Sequence, residues 1–240
     1  MTSQGQKHSI GIVTIAWSLA LTKTLFLLTM DPAPLAELFR RTLDPTTRAE
    51  AESKLQEMHK IIGFAPSILQ IVMNNDLSNV DLATRQAAVI YLKNLINTSW
   101  NEDKEPSTAL DSAPAIAKRE AKWSVHEQDR AVIRENLVRA CVDSSRESAL
   151  QLQISVCILV VSRNDFPGRW PQLVDAVSVY LQTPDPRLWP GALLALYQLV
   201  KNYEYKKKED RAPIYDAFNL LFPQIYQASE KTVLRFTNIR

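Results

Sequence analysis

Glycine is scarce in this chain: only 5 of its 240 residues are glycine. Tight β-turns, phosphate-binding loops and dinucleotide-binding loops need glycine for positive φ angles or for close approach of the backbone to a ligand. The composition therefore disfavours those architectures. The long runs between the glycines are rich in Leu, Ala, Gln, Glu, Lys and Arg, which have high helix propensity. Together these features favour an all-α protein.

Cysteine and an excess of charge of one sign are also lacking. The chain has 2 cysteines, Cys141 and Cys157, in helical patterns with no histidine nearby. Buried, inert thiols are therefore favoured over a zinc site. Lys7 and Lys23 supply the whole net charge of +2, because the rest of the chain has 28 − 2 = 26 basic residues against 26 acidic ones. Such a neutral body argues against direct binding of nucleic acid.

Sequence motifs of catalysis are missing as well. The chain contains no GxGxxG, GxxxxGK[ST], HExxH, GxSxG or CxxC pattern. Its three histidines are scattered, and no acid, base and nucleophile come together in the sequence. The sequence therefore predicts a protein that is not an enzyme, with no catalytic residue, no metal ligand and no cofactor.

The N-terminal residues 1–29 differ from the rest of the chain, because the run from Ile10 to Leu28 is nearly apolar. About 20 apolar residues can span a bilayer, so the run fits a membrane segment. It also fits a signal-peptide core, although no clean cleavage site follows. The third alternative, which we favour, is an extension that comes from the gene model. A second start follows at Met30, because Asp31 can cap a helix and Pro32 suits its first turn.

The sequence pattern of the rest of the chain predicts one helix after another. It lacks the alternation of apolar and polar residues that predicts a strand. Turn signals such as Phe166-Pro167-Gly168 separate the apolar runs. The patterns predict nine helices, over residues 32–43, 46–61, 65–75, 80–99, 126–142, 146–164, 170–182, 187–205 and 213–228. In the helix at 80–99, the side chains within about 60° of Leu92 on a helical wheel are aliphatic: Ala88, Val89, Leu95 and Ile96. Core packing is also predicted for the aromatic residues Trp170, Trp189, Tyr197 and Tyr203.

An internal repeat is visible in the apolar helices. A basic residue followed by asparagine recurs near the end of three of them: Lys93-Asn94, Arg163-Asn164 and Lys201-Asn202. The spacings are 163 − 93 = 70 and 201 − 163 = 38 residues, and the first includes a polar insert at residues 101–122. Removing most of the insert leaves about 40–47 residues, the period of HEAT or armadillo units. The sequence therefore predicts a right-handed α-solenoid of HEAT-type helical hairpins. The alternative is an irregular helical domain in which the pairs recur by chance.

The segment from Asp44 to Trp100 resembles the N-terminal signature of the importin-β superfamily (karyopherin-β), mainly in residues 51–55 and 85–94. Four further stretches resemble in particular the branch that contains importins seven and eight. These stretches are Met30-Asp31-Pro32, Asp129-Arg130 with Ile133-Arg134-Glu135-Asn136, Asp165-Phe166-Pro167 with Arg169-Trp170, and residues 197–207. The resemblance covers about residues 31–228.

The resemblance implies a nuclear transport receptor that moves between nucleus and cytoplasm through the pores of the nuclear envelope. Such receptors bind the GTP form of the GTPase Ran with their N-terminal repeats, and in import members this releases cargo in the nucleus. Residues 30–228 would then be the N-terminal HEAT repeats. Residues 229–240 do not continue the pattern and are interpreted as an atypical tail left by a truncation. Cargo proteins and nucleoporins are expected partners of a longer chain only.

The candidate Ran-contact surface lies at the ends of the inner helices of the solenoid, at Lys93, Asn94, Arg163, Asn164, Lys201 and Asn202. A structural alternative is that the asparagines cap the helix ends and the basic side chains complement the helix dipoles. Two other functions remain open at this point. One is a HEAT-repeat scaffold that does not bind Ran, and the other is a helical interaction domain tethered to a membrane by residues 10–28.

Overall fold

The computed structural model describes residues 30–73, 80–100 and 123–237 of the chain. The extension predicted at residues 1–29 and the polar insert predicted at residues 101–122 lie outside the described residues, so those two expectations stay predictions. Within the described residues, no helix combines the length and the apolar character needed to cross a bilayer.

Nine α-helices and one short 3₁₀-helix make up the described part of the chain, in which no strand occurs. In chain order the α-helices are α1 (Pro32–Thr42), α2 (Arg48–Met58), α3 (Phe64–Met73), α4 (Leu82–Ser99), α5 (Glu127–Asp143), α6 (Ser148–Asp165), α7 (Gln172–Gln182), α8 (Trp189–Lys201) and α9 (Ala212–Thr237). The 3₁₀-helix, Lys208–Arg211, directly precedes α9. Each α-helix overlaps one of the predicted helices, which confirms the all-α fold class, although α8 ends at Lys201, before the predicted end at residue 205.

The helices stack in two layers. The first layer consists of α3, α5, α7 and α9, and each of these helices contacts the next one in the series. The second layer consists of α4, α6 and α8, which also contact one another in that order. Short connections join α3 to α4, α5 to α6 and α7 to α8 as packed pairs, while α1 packs on α2, α3 and α4. This repetition of helix pairs along one direction is the architecture of a helical-repeat solenoid.

Acidic side chains fix two of the helix starts that the sequence indicates. The carboxylate of Asp31 accepts a hydrogen bond from the backbone N–H of Ala33 at 3.0 Å, and α1 begins with Pro32. The carboxylate of Asp81 accepts one from the N–H of Thr84 at 2.8 Å at the start of α4. These bonds satisfy backbone donors that have no partner inside the helix.

The apolar stripe predicted on α4 lies in the core. Its members Ala88, Val89, Leu92 and Ile96 have no exposed surface, and Leu95 is 7% exposed. Three of the four aromatic side chains expected in the core are also buried: Trp170, Trp189 and Tyr203. The exception is Tyr197, whose predicted burial is wrong: it is 56% exposed. The core-facing positions of α8 are Ala195, Leu196 and Leu199, so Tyr197 points away from the first layer.

The last helix extends further than its pattern indicates. The sequence predicts an end at residue 228, whereas α9 continues through Thr237 and contains Pro223. The core positions of α9 include Ile214, Ala217 and Leu221, which face α7. The apolar periodicity fades beyond this contact, but the residues that follow retain helix propensity, so the helix continues without a repeating apolar pattern.

Candidate functional site

The C-terminal ends of the three second-layer helices lie side by side. Trp100, which follows α4, donates a hydrogen bond from its indole nitrogen to Oδ2 of Asp165 at the end of α6, at 3.1 Å. Asn202, which follows α8, donates from its side-chain amide to Oγ of Ser162, at 2.8 Å, and to the carbonyl of Leu159, at 3.1 Å. The three ends therefore form one continuous edge of the solenoid.

A buried carboxylate holds this edge to the first layer. Asp165 is fully buried, and its Oδ2 also accepts a hydrogen bond from Nη1 of Arg134 in α5, at 2.8 Å. Nη2 of Arg169 lies 3.0 Å from Oδ1 of the same carboxylate. We refer to Trp100, Arg134, Asp165 and Arg169 as the Asp165 cluster. It joins two successive helix pairs, α3–α4 and α5–α6, to the loop that follows α6.

The cation at the centre of the Asp165 cluster keeps its charge. Burial favours the neutral form of Arg134, but the hydrogen bonds that it donates to Glu127 and Asp165 outweigh this effect and raise the pKa of Arg134 above its ordinary value. In the same region, the guanidinium of Arg130 lies 5.7 Å from the centre of the Trp100 ring. Arg130 therefore connects the first layer to the end of α4, and Arg134 connects it to the end of α6.

A second buried carboxylate, that of Asp129 in α5, connects α5 to the start of α3. Both oxygens of the buried Asp129 accept a hydrogen bond from the backbone N–H of Gly63, at 2.8 and 3.1 Å. Gly63 has a φ of 89°, in the left-handed region that favours glycine. Burial raises the pKa of Asp129, while the hydrogen bonds from Gly63 and Ala65 oppose that rise. Asp129 thus caps the start of α3 from a different helix pair.

The six predicted contact residues fall into two groups at the edge formed by the second-layer ends. The asparagine side chains of the later repeats are engaged within the fold: Asn164 donates to the carbonyl of Val160 at 2.7 Å, and Asn202 bonds to α6. Arg163 is exposed, with its Nε 3.3 Å from Oδ1 of Asn202.

The other candidates face outward to different degrees. Asn94 and Lys201 are exposed, and Lys93 is half-buried. The structural alternative, in which the asparagines cap their own helix ends, fits only in part. Asn164 bonds within its own helix, but the side chain of Asn202 connects two helices instead. The side chains that remain available to a partner are Lys93, Asn94, Arg163 and Lys201. Asn164 and Asn202 instead hold the helix ends in place.

Apolar side chains on the outer face of the second layer were not part of the predicted site. Ile90 on α4 is 45% exposed, Leu152 on α6 is 54% exposed, and Leu193 and Tyr197 on α8 are 40% and 56% exposed. The hydrogen bond that Gln198 of α8 donates to Ser155 of α6, at 3.1 Å, fixes the register of these two helices. The helical wheel contains a signal for Ile90, since it lies about 200° from Leu92 and so outside the buried stripe.

Both thiols are free and buried, and a reactivity measurement tests this arrangement. Burial raises the pKa of Cys141 and of Cys157 to about 12. Because the thiolate is the reactive form, we expect neither thiol to react with Ellman's reagent at a pH of about 8 in the folded chain. Both should react once the chain is unfolded in guanidinium chloride. Rapid modification of one thiol in the folded protein would contradict its burial.

The stacked helix pairs and the hydrogen-bonded helix ends place this chain in the class of helical-repeat solenoids. Comparisons with known proteins identify the family within that class. Residues 51–143 match the family model of the importin-beta N-terminal domain. The chain is 40% identical over 198 residues to importin-8 of Danio rerio, which covers 82% of this chain and 18% of the relative. It is 29% identical over 208 residues to the probable importin-7 homolog of Dictyostelium discoideum, which covers 84% of this chain and 17% of the relative.

The same fold occurs in a solved structure. The structure titled "The exportin Cse1 in its cargo-free, cytoplasmic state" matches with a TM-score of 0.69 and 19% sequence identity, over 84% of this chain and 20% of that chain. At this identity the similarity shows a shared helical fold.

This chain carries an importin-β N-terminal domain and belongs to the importin-β family, which confirms the resemblance noted in the sequence. The chain spans 18% of the zebrafish relative and 17% of the Dictyostelium relative.

Proposed function

We propose that this chain is the N-terminal HEAT-repeat segment of a nuclear transport receptor and that it binds the GTP form of the small GTPase Ran. The observation that carries the proposal is the edge formed by the ends of α4, α6 and α8. The hydrogen bonds of Trp100 and Asn202 hold these ends together, and Asn94, Arg163 and Lys201 are exposed in the last two turns of the three helices. Membership of the importin-β family supports Ran as the partner that this surface takes.

The mechanism follows from the geometry of a solenoid. Each helix pair contacts mainly its neighbours, so small rotations between pairs add up to a change of curvature along the stack. A partner that binds one curvature more tightly shifts the population towards it. Ran on the second-layer edge would thereby change the affinity of a longer chain for its cargo, with a coupling free energy of about 1–3 kcal/mol.

The cellular role follows from the same proposal. The chain takes part in protein import into the nucleus, moves between cytoplasm and nucleus, and passes the nuclear pore as part of a longer receptor. Cargo proteins and nucleoporins bind to that longer receptor, and the chain itself performs no chemical reaction. Its relatives carry the names importin-8 and probable importin-7 homolog, which supports import as the direction of transport.

Charge reversal at the edge tests the contact surface. In the full chain, the double variant R163E/K201E is expected to bind Ran loaded with a non-hydrolysable GTP analogue about tenfold more weakly, because two exposed cations of the proposed interface are inverted. The matched control K54E/R139E inverts two exposed cations on α2 and α5, and it should bind like the original chain. Binding is measured by surface plasmon resonance.

Equal losses in both variants would point to a general effect of net charge, and no loss in either would remove Arg163 and Lys201 from the interface. Thermal unfolding of each variant, followed by circular dichroism, verifies that the fold is retained.

A further inference from the structure

The loop after α8 packs onto the end of α6. The ring of Tyr203 lies edge-to-face with that of Phe166, with 6.4 Å between the ring centres. Nζ of Lys206 lies 4.1 Å from the centre of the Tyr203 ring, on the face of the ring. The charged loop is therefore attached to the same edge that carries Arg163 and Lys201.

Hydrogen bonds from Arg211 give this loop a defined shape. Arg211 of the 3₁₀-helix donates from Nε to the carbonyl of Lys206 at 2.7 Å and from Nη2 to the carbonyl of Glu204 at 3.1 Å. The backbone N–H of Lys206 in turn donates to the carbonyl of Tyr203 at 3.2 Å. The lysine side chains thus extend from a backbone that is bonded in place, which reduces the entropy that a partner must overcome on binding.

The surface of this loop is basic and carries one prominent aromatic ring. Residues 201–211 contain five cations and three anions, and Arg163 from α6 makes 5 + 1 = 6 cations against 3. Lys206, Lys207 and Lys208 are all exposed. Tyr205 is 89% exposed.

We infer that this basic loop, residues 203–208, is a docking surface for an acidic peptide segment of a partner protein. The carboxylates of the segment pair with Lys206, Lys207 and Lys208. An apolar side chain within the segment packs on the exposed ring of Tyr205. Opposite charge and a single apolar contact set the specificity, and the inference goes beyond Ran binding because the lysine run lies outside the edge residues proposed for the GTPase.

An acidic peptide fits this surface better than a nucleic acid does. A nucleic-acid site needs a broad basic footprint that neutralises many phosphates, whereas the described body of this chain has balanced charge beyond the loop. Glu204, Glu209 and Asp210 also flank the three consecutive lysines and would repel a continuous phosphate backbone. They leave room for the shorter, irregularly spaced carboxylates of a peptide.

The test uses the full chain and a fluorescein-labelled, glutamate-rich peptide with one leucine, measured by fluorescence anisotropy at several salt concentrations. We expect saturable binding that weakens as salt rises. The variant K206E/K207E/K208E should bind about tenfold more weakly, since three exposed ion pairs are lost and replaced by repulsion. The control K54E/K60E/R139E makes the same change of net charge elsewhere on the exposed surface and should bind the peptide like the original chain.

Two further probes separate the alternatives. A peptide with glutamine in place of every glutamate should not bind, and Tyr205→Ser should weaken binding of the leucine-containing peptide more than that of a version with serine for leucine. Unchanged binding in the triple lysine variant would overturn the inference. Tighter binding of a single-stranded oligouridylate than of the acidic peptide would also overturn it, because the surface would then serve nucleic acid.

Discussion

Replacing Asp165 with alanine is expected to lower the free energy of unfolding by about 3–5 kcal/mol, the cost of removing one partner from a buried ion pair. The carboxylate is fully buried and accepts hydrogen bonds from the indole of Trp100 at 3.1 Å and from the guanidinium of Arg134 at 2.8 Å. Without it, the charge of Arg134 loses its buried counter-ion and the indole N–H of Trp100 loses its acceptor. Both losses fall at the point where the pairs α3–α4 and α5–α6 meet.

Equilibrium unfolding in urea, followed by circular dichroism, measures this change. Asp165→Asn keeps an acceptor for Trp100 but not the negative charge, so its cost should be smaller than that of Asp165→Ala. The control Asp175→Ala removes an exposed carboxylate from α7 and should change stability by less than about 0.5 kcal/mol. A loss below about 1 kcal/mol for Asp165→Ala would mean that the cluster contributes little to the stacking of the repeats.

Gly191→Ala is the second substitution for which we expect a large loss. A Cβ atom at Gly191 would lie 2.6 Å from the Cα of Val142 and 3.0 Å from the carbonyl oxygen of Cys141. These are backbone atoms of α5, so the two helices must move apart to admit the methyl group. Alanine within a helix ordinarily gains about 1 kcal/mol over glycine, but overpacking of this kind costs about 1–3 kcal/mol or more.

The net expectation for Gly191→Ala is a lower thermal midpoint, by several degrees, because about 1 kcal/mol corresponds to roughly 2–4 °C in a chain of this size. Gly168→Ala provides the matched control, since a Cβ atom there would meet nothing within 4 Å. It should leave the midpoint unchanged or raise it slightly, through a smaller loss of chain entropy on folding. An equal midpoint for both variants would show that α8 and α5 can separate without cost.

The sequence predicts the helices and the buried stripe of α4 because these depend on local periodicity. The periods of 3.6 and of about 40 residues are both present in the chain itself. Tyr197 is the clearest failure. Its spacing is helical, but which side of α8 faces the core depends on where α6 and the first layer lie, and that information is not local.

The contacts that hold the candidate site together are a second feature that local sequence does not predict. Trp100, Asp129, Arg134 and Asp165 stand out in the sequence only through the family resemblance, and nothing in their spacing says which residue pairs with which. Trp100 and Asp165 are separated by 65 residues, and Arg134 and Asp165 by 31. The structure provides a physical reason for the resemblance at these positions, because these side chains join successive helix pairs.

The Ran-contact residues remain a prediction, and one measurement tests the central claim most directly. The affinity of the full chain is compared for Ran loaded with a non-hydrolysable GTP analogue and for Ran loaded with GDP, by surface plasmon resonance. The account predicts binding at least about tenfold tighter to the GTP form, since allosteric coupling between two sites is typically about 1–3 kcal/mol and tenfold corresponds to about 1.4 kcal/mol. Equal affinity for the two forms, or no binding by a chain whose circular dichroism shows the folded helices, would contradict the account and favour a HEAT-repeat scaffold without a GTPase switch.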